Sequence, residues 1–130
     1  MPAPSTATYS AAAKIAANTS FKTLLDAETG AGSIAILSEA DVVLAVIALT
    51  DPCGTVNGTT GQLTLTPDGR EESAPAGGTA SYAQIRDGAD GVQLAMPCQA
   101  GTSAVSGYCV IDSLSITAGL PVEVVSAVIG

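Results

Sequence analysis

The chain is expected to be mainly β, an antiparallel β-sandwich or jelly-roll-like domain with a short N-terminal helical segment. Three observations predict this. Short runs rich in Val, Ile, Leu and Thr recur between Gly, Pro, Asn and Asp turns every eight to twelve or so residues, the spacing of sandwiches and jelly rolls. No helical pattern alternates with those runs, which argues against a parallel α/β sheet. Gly78–Leu94 reads as strand, Asp/Gly turn and second strand, with side chains alternating at the period of two.

Residues 1–8 (MPAPSTAT) are rich in Pro, Ala, Ser and Thr and read as an extended arm, leaving 9–130 as one domain. Residues 9–27 have the best helical composition. Ser10 is placed to cap an Ala-rich turn, and Thr19 or Ser20 to cap a second through Phe21, Leu24 and Leu25. Asn18-Thr19-Ser20 is poor helix interior, so a break is expected there, with the secure helix over about 19–28. Gly30-Ala31-Gly32 ends it.

Ile34–Leu37 is a short strand, followed by a polar link at Glu39-Ala40-Asp41. Val42–Leu49 is continuously apolar, which predicts cover on both faces. Periodicity alone does not separate it from a buried helix, but eight residues rich in Val and Ile favour a strand. Asp51-Pro52-Cys53-Gly54 reads as a turn, Asn57–Gly61 as a loop, Gln62–Thr66 as a strand and Pro67–Gly78 as an exposed loop. In the hairpin, Ser81, Ala83 and Ile85 are assigned to one face, and Tyr82, Gln84 and Arg86 to the other. Ala95–Gly107 is loop-like, and Tyr108–Ile116 is a strand kinked at Asp112-Ser113. In the last strand, Val122–Ile129, one face carries Val122, Val124 and Val128, and the other Val125 and Ile129.

Composition narrows the function classes. At 130 residues the chain buries about two-thirds of its unfolded surface, enough for a core without staples. It is 47% hydrophobic but only 12% charged, about half the charge of an average domain, so Ser, Thr, Gly and Ala must build much of its surface. Such a surface suits a protein held in an assembly. The net charge of −8 and four scattered cations (Lys14, Lys22, Arg70, Arg86) argue against nucleic-acid binding. The longest apolar stretch is far below the ~20 residues of a membrane helix, and no signal sequence is visible.

Catalytic and ligand motifs are weak. Without His there is no base for a Ser or Cys nucleophile. Glu71-Glu72 and Asp87 with Asp90 are carboxylate pairs, but a glycosidase or sugar-binding cleft also needs aromatics, which are 3% of this chain. Asp87-Gly-Ala-Asp90-Gly91 is better explained by hairpin turn chemistry than by a Ca²⁺ loop. Neither glycine cluster, Asn57–Gly61 nor Ala76–Gly78, is a phosphate loop, and the Asn18 and Asn57 glycosylation patterns lack a secretory context. Cys53, Cys98 and Cys109 lack zinc spacing, so no metal or cofactor is expected. Buried thiols in a reducing cell are the favoured reading of them, with a Cys98–Cys109 bridge available if those segments pair. Candidate interface residues are Tyr82, Arg86, Val125 and Ile129.

One resemblance carries a functional expectation. Asp26-Ala27-Glu28-Thr29-Gly30-Ala31-Gly32 leads into Ile34-Ala35-Ile36-Leu37, and Leu49-Thr50-Asp51-Pro52 closes the next strand. Gly78-Thr79-Ala80-Ser81-Tyr82 opens a strand that ends at Asp87–Gly91, and Ala118-Gly119-Leu120-Pro121-Val122 opens the last. In that order, over about residues 20–130, the chain resembles a family of small accessory virion proteins of tailed bacteriophages. Ser81, where a larger residue is common, and the lack of Trp depart from the pattern.

The resemblance implies a non-enzymatic structural protein made in the bacterial cytoplasm and sited on the outer surface of the virion. Outer capsid decoration or cement is the first expectation, with the major capsid protein or other virion proteins as partners and a homo-oligomer on the particle. A tail-tip, baseplate or fibre-associated component is the alternative.

Overall fold

A computed structural model describes residues 9–27 and 30–130, so the arm expected over residues 1–8 lies outside the described residues. One helix, α1 (Ala11–Asp26), precedes eight strands: β1 (Ser33–Ser38), β2 (Val43–Val56), β3 (Leu63–Pro67), β4 (Gly78–Arg86), β5 (Val92–Ala100), β6 (Cys109–Ile111), β7 (Ser115–Ile116) and β8 (Val124–Ile129).

The mainly β content is as expected, but the architecture is a closed seven-stranded barrel and not a jelly-roll sandwich. Around the ring the order is β1-β2-β3-β8-β6-β5-β4, and β4 returns to pair with β1. The short β7 is appended to β4 outside the ring. A sandwich would leave two separate sheets. Here β1 is hydrogen-bonded to β2 on one side and β4 on the other, so no break remains. All ring pairings are antiparallel except β5–β6, which is parallel.

Irregular registers supply the curvature that closure needs. Leu44 is an extra residue against β1, Ser81 against the end of β1, Gln93 against β4 and Val125 against β6. Each shifts the inside–outside phase of its strand. Ala80 is therefore buried and Ser81 exposed, reversing the face expected for Ser81. On β8, Ile129 packs against the core with Val124 and Ala127 while Val128 leaves that row, which corrects the expected sharing of faces. The Asp51–Gly54 segment is a bend within β2 rather than a turn: pairing with β3 passes from Leu49↔Pro67 to Gly54↔Leu65. The expected loop after Ala95 begins only after Ala100, because Pro97 sits where β5 has a partner on one side only.

The interior is filled by side chains. Ile34, Ile36, Ile47, Leu49, Leu63, Leu65, Ile85 and Ile111 are essentially inaccessible, with Ala45, Ala83 and Ala127 filling the narrower places. Leu25 of α1 joins the same core.

That helix is continuous through Asn18-Thr19-Ser20, where a break was expected. Ser10 caps it, its Oγ accepting from Ala13 N at 3.1 Å. Asn18 does not compete with the helix backbone, because its Nδ2 donates to the carbonyl oxygens of Gly61 (2.6 Å) and Ile129 (3.2 Å). At the C-terminal end Asp26 receives Lys22 at 3.5 Å and accepts from Cys53 N at 2.9 Å, fixing α1 to β2. No helix among the described residues is long and apolar enough to cross a membrane.

Candidate functional site

The barrel wall formed by β2, β1, β4 and β5 presents three successive outward-facing rungs, each crossing all four strands. They are Val43–Leu37–Tyr82–Pro97, Val46–Ala35–Gln84–Ala95 and Ala48–Ser33–Arg86–Val92. Leu37, Ala35 and Ser33 run down the middle and are buried, while Val46 (38% exposed) and Val92 (50%) remain open. Arg86 supplies the only charge on these rungs. Acidic residues stand beyond both ends, Glu39 and Asp41 in the β1–β2 turn and Asp87 and Asp90 in the β4–β5 turn. Exposed small apolar residues of β2 and β5 thus flank Tyr82, Gln84 and Arg86 of β4, with acidic residues beyond both ends.

Two of the four candidate interface residues lie on this wall. Tyr82 donates its hydroxyl to Asp41 Oδ1 at 2.6 Å, and this bond, more than any other effect, raises the Tyr82 pKa above the usual phenol value. Arg86 donates from Nε (3.2 Å) and Nη2 (2.8 Å) to Gln84 Oε1, which lays the guanidinium flat along the strand. The other two lie on β8, three strands away around the ring. Val125 is 39% exposed at its bulge, and Ile129 packs inward. Tyr82 and Arg86 thus form one surface, and Val125 and Ile129 do not join it.

The rest of the wall was hidden from sequence reading because Val42–Leu49 is continuously apolar. In the barrel Ala45, Ile47 and Leu49 point inward, whereas Val46 and Ala48 alternate outward without cover. The outer residues carried no polar signal to mark them.

The acidic groups are engaged in structural roles. Asp87 Oδ1 accepts from Ala89 N (3.0 Å) and Gly91 N (2.9 Å), and Oδ2 from Gln93 Nε2 (2.9 Å). These bonds, that from Gly91 first, hold its pKa below the ordinary carboxylate value. Asp90 completes the turn at φ 63°. Glu71 accepts the outward N–H of Val46 at 3.2 Å, whereas Glu72 pairs with Arg70 at 3.3 Å, so the two adjacent carboxylates serve different partners. Among the described residues no cluster of His, Cys, Asp or Glu is suited to a metal. A shallow open depression lies among Asp112, Ser113, Thr117, Leu120 and Val122.

The cysteines fall into two settings. Cys53 is buried under α1, with its Sγ 4.0 Å from the Lys22 carbonyl oxygen; burial, reinforced by Asp26, pushes its pKa up to about 11. Cys98 and Cys109 are direct register partners on β5 and β6. The proximity of the two thiols lowers the pKa of Cys98 and, with burial, raises that of Cys109. No protein-family model, curated protein or solved structure matches the chain.

Proposed function

We propose that the chain is a non-enzymatic structural component of a bacteriophage particle, an outer capsid decoration or cement protein that attaches through the β2-β1-β4-β5 wall. The observation that carries this reading is the wall itself: Val46 and Ala48 on β2 and Val92, Ala95 and Pro97 on β5 are exposed on either side of Tyr82, Gln84 and a single cation, Arg86. Exposed small apolar residues gathered on one wall of the barrel favour a macromolecular contact. The filled interior and the structural engagement of Asp87, Glu71 and Glu72 also fit a binding protein better than a catalyst. The resemblance of residues 20–130 to accessory virion proteins supplies the particle.

The acidic rim suits an outward-facing site, since packaged DNA would repel it. Capsid attachment and tail attachment differ in copy number, because symmetry multiplies head sites far beyond the threefold or sixfold tail. Quantitative mass spectrometry of purified particles tests the reading. Hundreds of copies per particle are expected; a few copies would move the protein to the tail, and absence from particles would refute the reading.

A further inference from the structure

We propose that Cys98 and Cys109 are a dithiol site that oxidises to an intramolecular disulfide, locking the one parallel seam of the barrel.

The geometry comes from the strand register. Cys98 on β5 lies directly opposite Cys109 on β6, followed by Gln99↔Val110 and Ala100↔Ile111. Directly paired residues on neighbouring strands project to the same face, here the interior, where both cysteines pack in the core. Adjacent strands run about 4.8 Å apart, inside the Cα separation of roughly 4.4–6.8 Å that a disulfide spans. The strand spacing therefore meets the Cα requirement for the bond.

The seam is one of the short junctions of the ring, so a cross-link has something to hold. It is the only parallel junction in the ring, β6 contributes just three residues to it, and residues 101–108 connect its two sides. The antiparallel junctions β1–β4 and β4–β5 run over longer registers, while β3–β8 is held by two pairs and β6–β8 by three.

Access and reactivity differ between the two sulfurs in a way that orders the reaction. Cys98 is partly exposed and Cys109 buried. The oxidant required is a low-molecular-weight disulfide such as oxidised glutathione. The Cys98 thiolate attacks one of its sulfurs, forming a mixed disulfide and expelling one thiolate. Cys109 then attacks Cys98 Sγ, the bond to the glutathione sulfur breaks, and the second thiolate leaves. The two thiol protons end on the two departing glutathione thiols, so one disulfide is reduced for the one formed. Cys53 is excluded by position, since it lies on β2, three strands from either partner around the ring, beneath α1.

This inference is independent of any attachment to a particle. The test incubates the full chain with oxidised glutathione under native conditions, then alkylates under denaturing conditions and maps peptides without reduction. One remaining alkylatable thiol, at Cys53, and a linked Cys98–Cys109 peptide pair are expected. The oxidised form should melt roughly 10 °C higher than the reduced form, as expected for a bond closing a loop of about twelve residues. Cys53→Ser should leave the cross-link intact, and Cys98→Ser should abolish both it and the shift. Three alkylatable thiols after oxidation, a stable mixed disulfide at Cys98, or a bridge involving Cys53 or a second chain would overturn the proposal.

Discussion

The side-chain amide of Asn18 donates to the carbonyl oxygen of Gly61 at 2.6 Å, fastening the middle of α1 to the loop that leads into β3. The second donation, to Ile129, ties the same side chain to the end of β8. Gly61 has φ 80°, and a Cβ there would collide with Lys14 Cβ, so the close approach of helix and loop depends on glycine. Asn18→Ala leaves both carbonyls without this donor and should cost about 1–3 kcal/mol, read as a lower urea midpoint with unchanged m-value. An unchanged midpoint would mean that α1 is held by packing alone.

Adjacent leucines of α1 separate packing from exposure. Leu25 is fully buried in the barrel core, whereas Leu24 is 44% exposed. Leu25→Ala should destabilise the protein by about 2–5 kcal/mol. Leu24→Ala should stay within about 0.5 kcal/mol of the parent in the same denaturation experiment. Equal effects would contradict the docking of the helix through Leu25.

Gly54 marks the tightest approach in the β2 bend. A Cβ there would collide with the Thr64 carbonyl oxygen and lie 2.9 Å from Leu65 Cα, both backbone atoms that cannot swing aside. Gly54→Ala should therefore cost about 1–3 kcal/mol by overpacking, against an ordinary helix-surface substitution as control. Calorimetric melting reads the loss directly.

Asp87 gives the β4–β5 turn a pH dependence. Its folded pKa is lowered, so its stabilising contribution is present above the unfolded value near 3.9 and is lost as pH falls through the folded value. Asp87→Asn removes the charge that favours the donors from Ala89, Gly91 and Gln93. The variant should be less stable than the parent at neutral pH, with the gap closing only under acid conditions. A gap that is constant from neutral pH down to strong acid would show that the charge contributes nothing.

Much of the local structure was legible in the sequence. Ser10 as a helix cap, the Asp87–Gly91 turn, the Ile34–Leu37 strand and the kink after Ile111 follow from capping, turn chemistry and β propensity, which act over a few residues. Closure was not legible, because a sandwich and a small barrel share alternation and turn spacing and differ only in long-range pairing, here β1 with β4 and β5 with β6. The phase slips at Leu44, Ser81 and Val125 are equally long-range, since a bulge is defined by the partner strand. For the same reason Tyr82 and Arg86 could be assigned to one face from β4 alone, while Val125 and Ile129 could not.

Attachment through the β2-β1-β4-β5 wall is tested most directly by comparing two opposed surfaces on the particle. Val46→Asp and Val92→Asp place a charge at outward positions of the wall, and Val125→Asp places one on β8 across the barrel. Occupancy of each purified, folded variant on particles stripped of the protein is the measurement. A loss of ten-fold or so in affinity is expected for either wall variant, corresponding to about 1.4 kcal/mol, with parent-like occupancy for Val125→Asp. Parent-like occupancy of both wall variants, or loss confined to Val125→Asp, would contradict attachment through this wall.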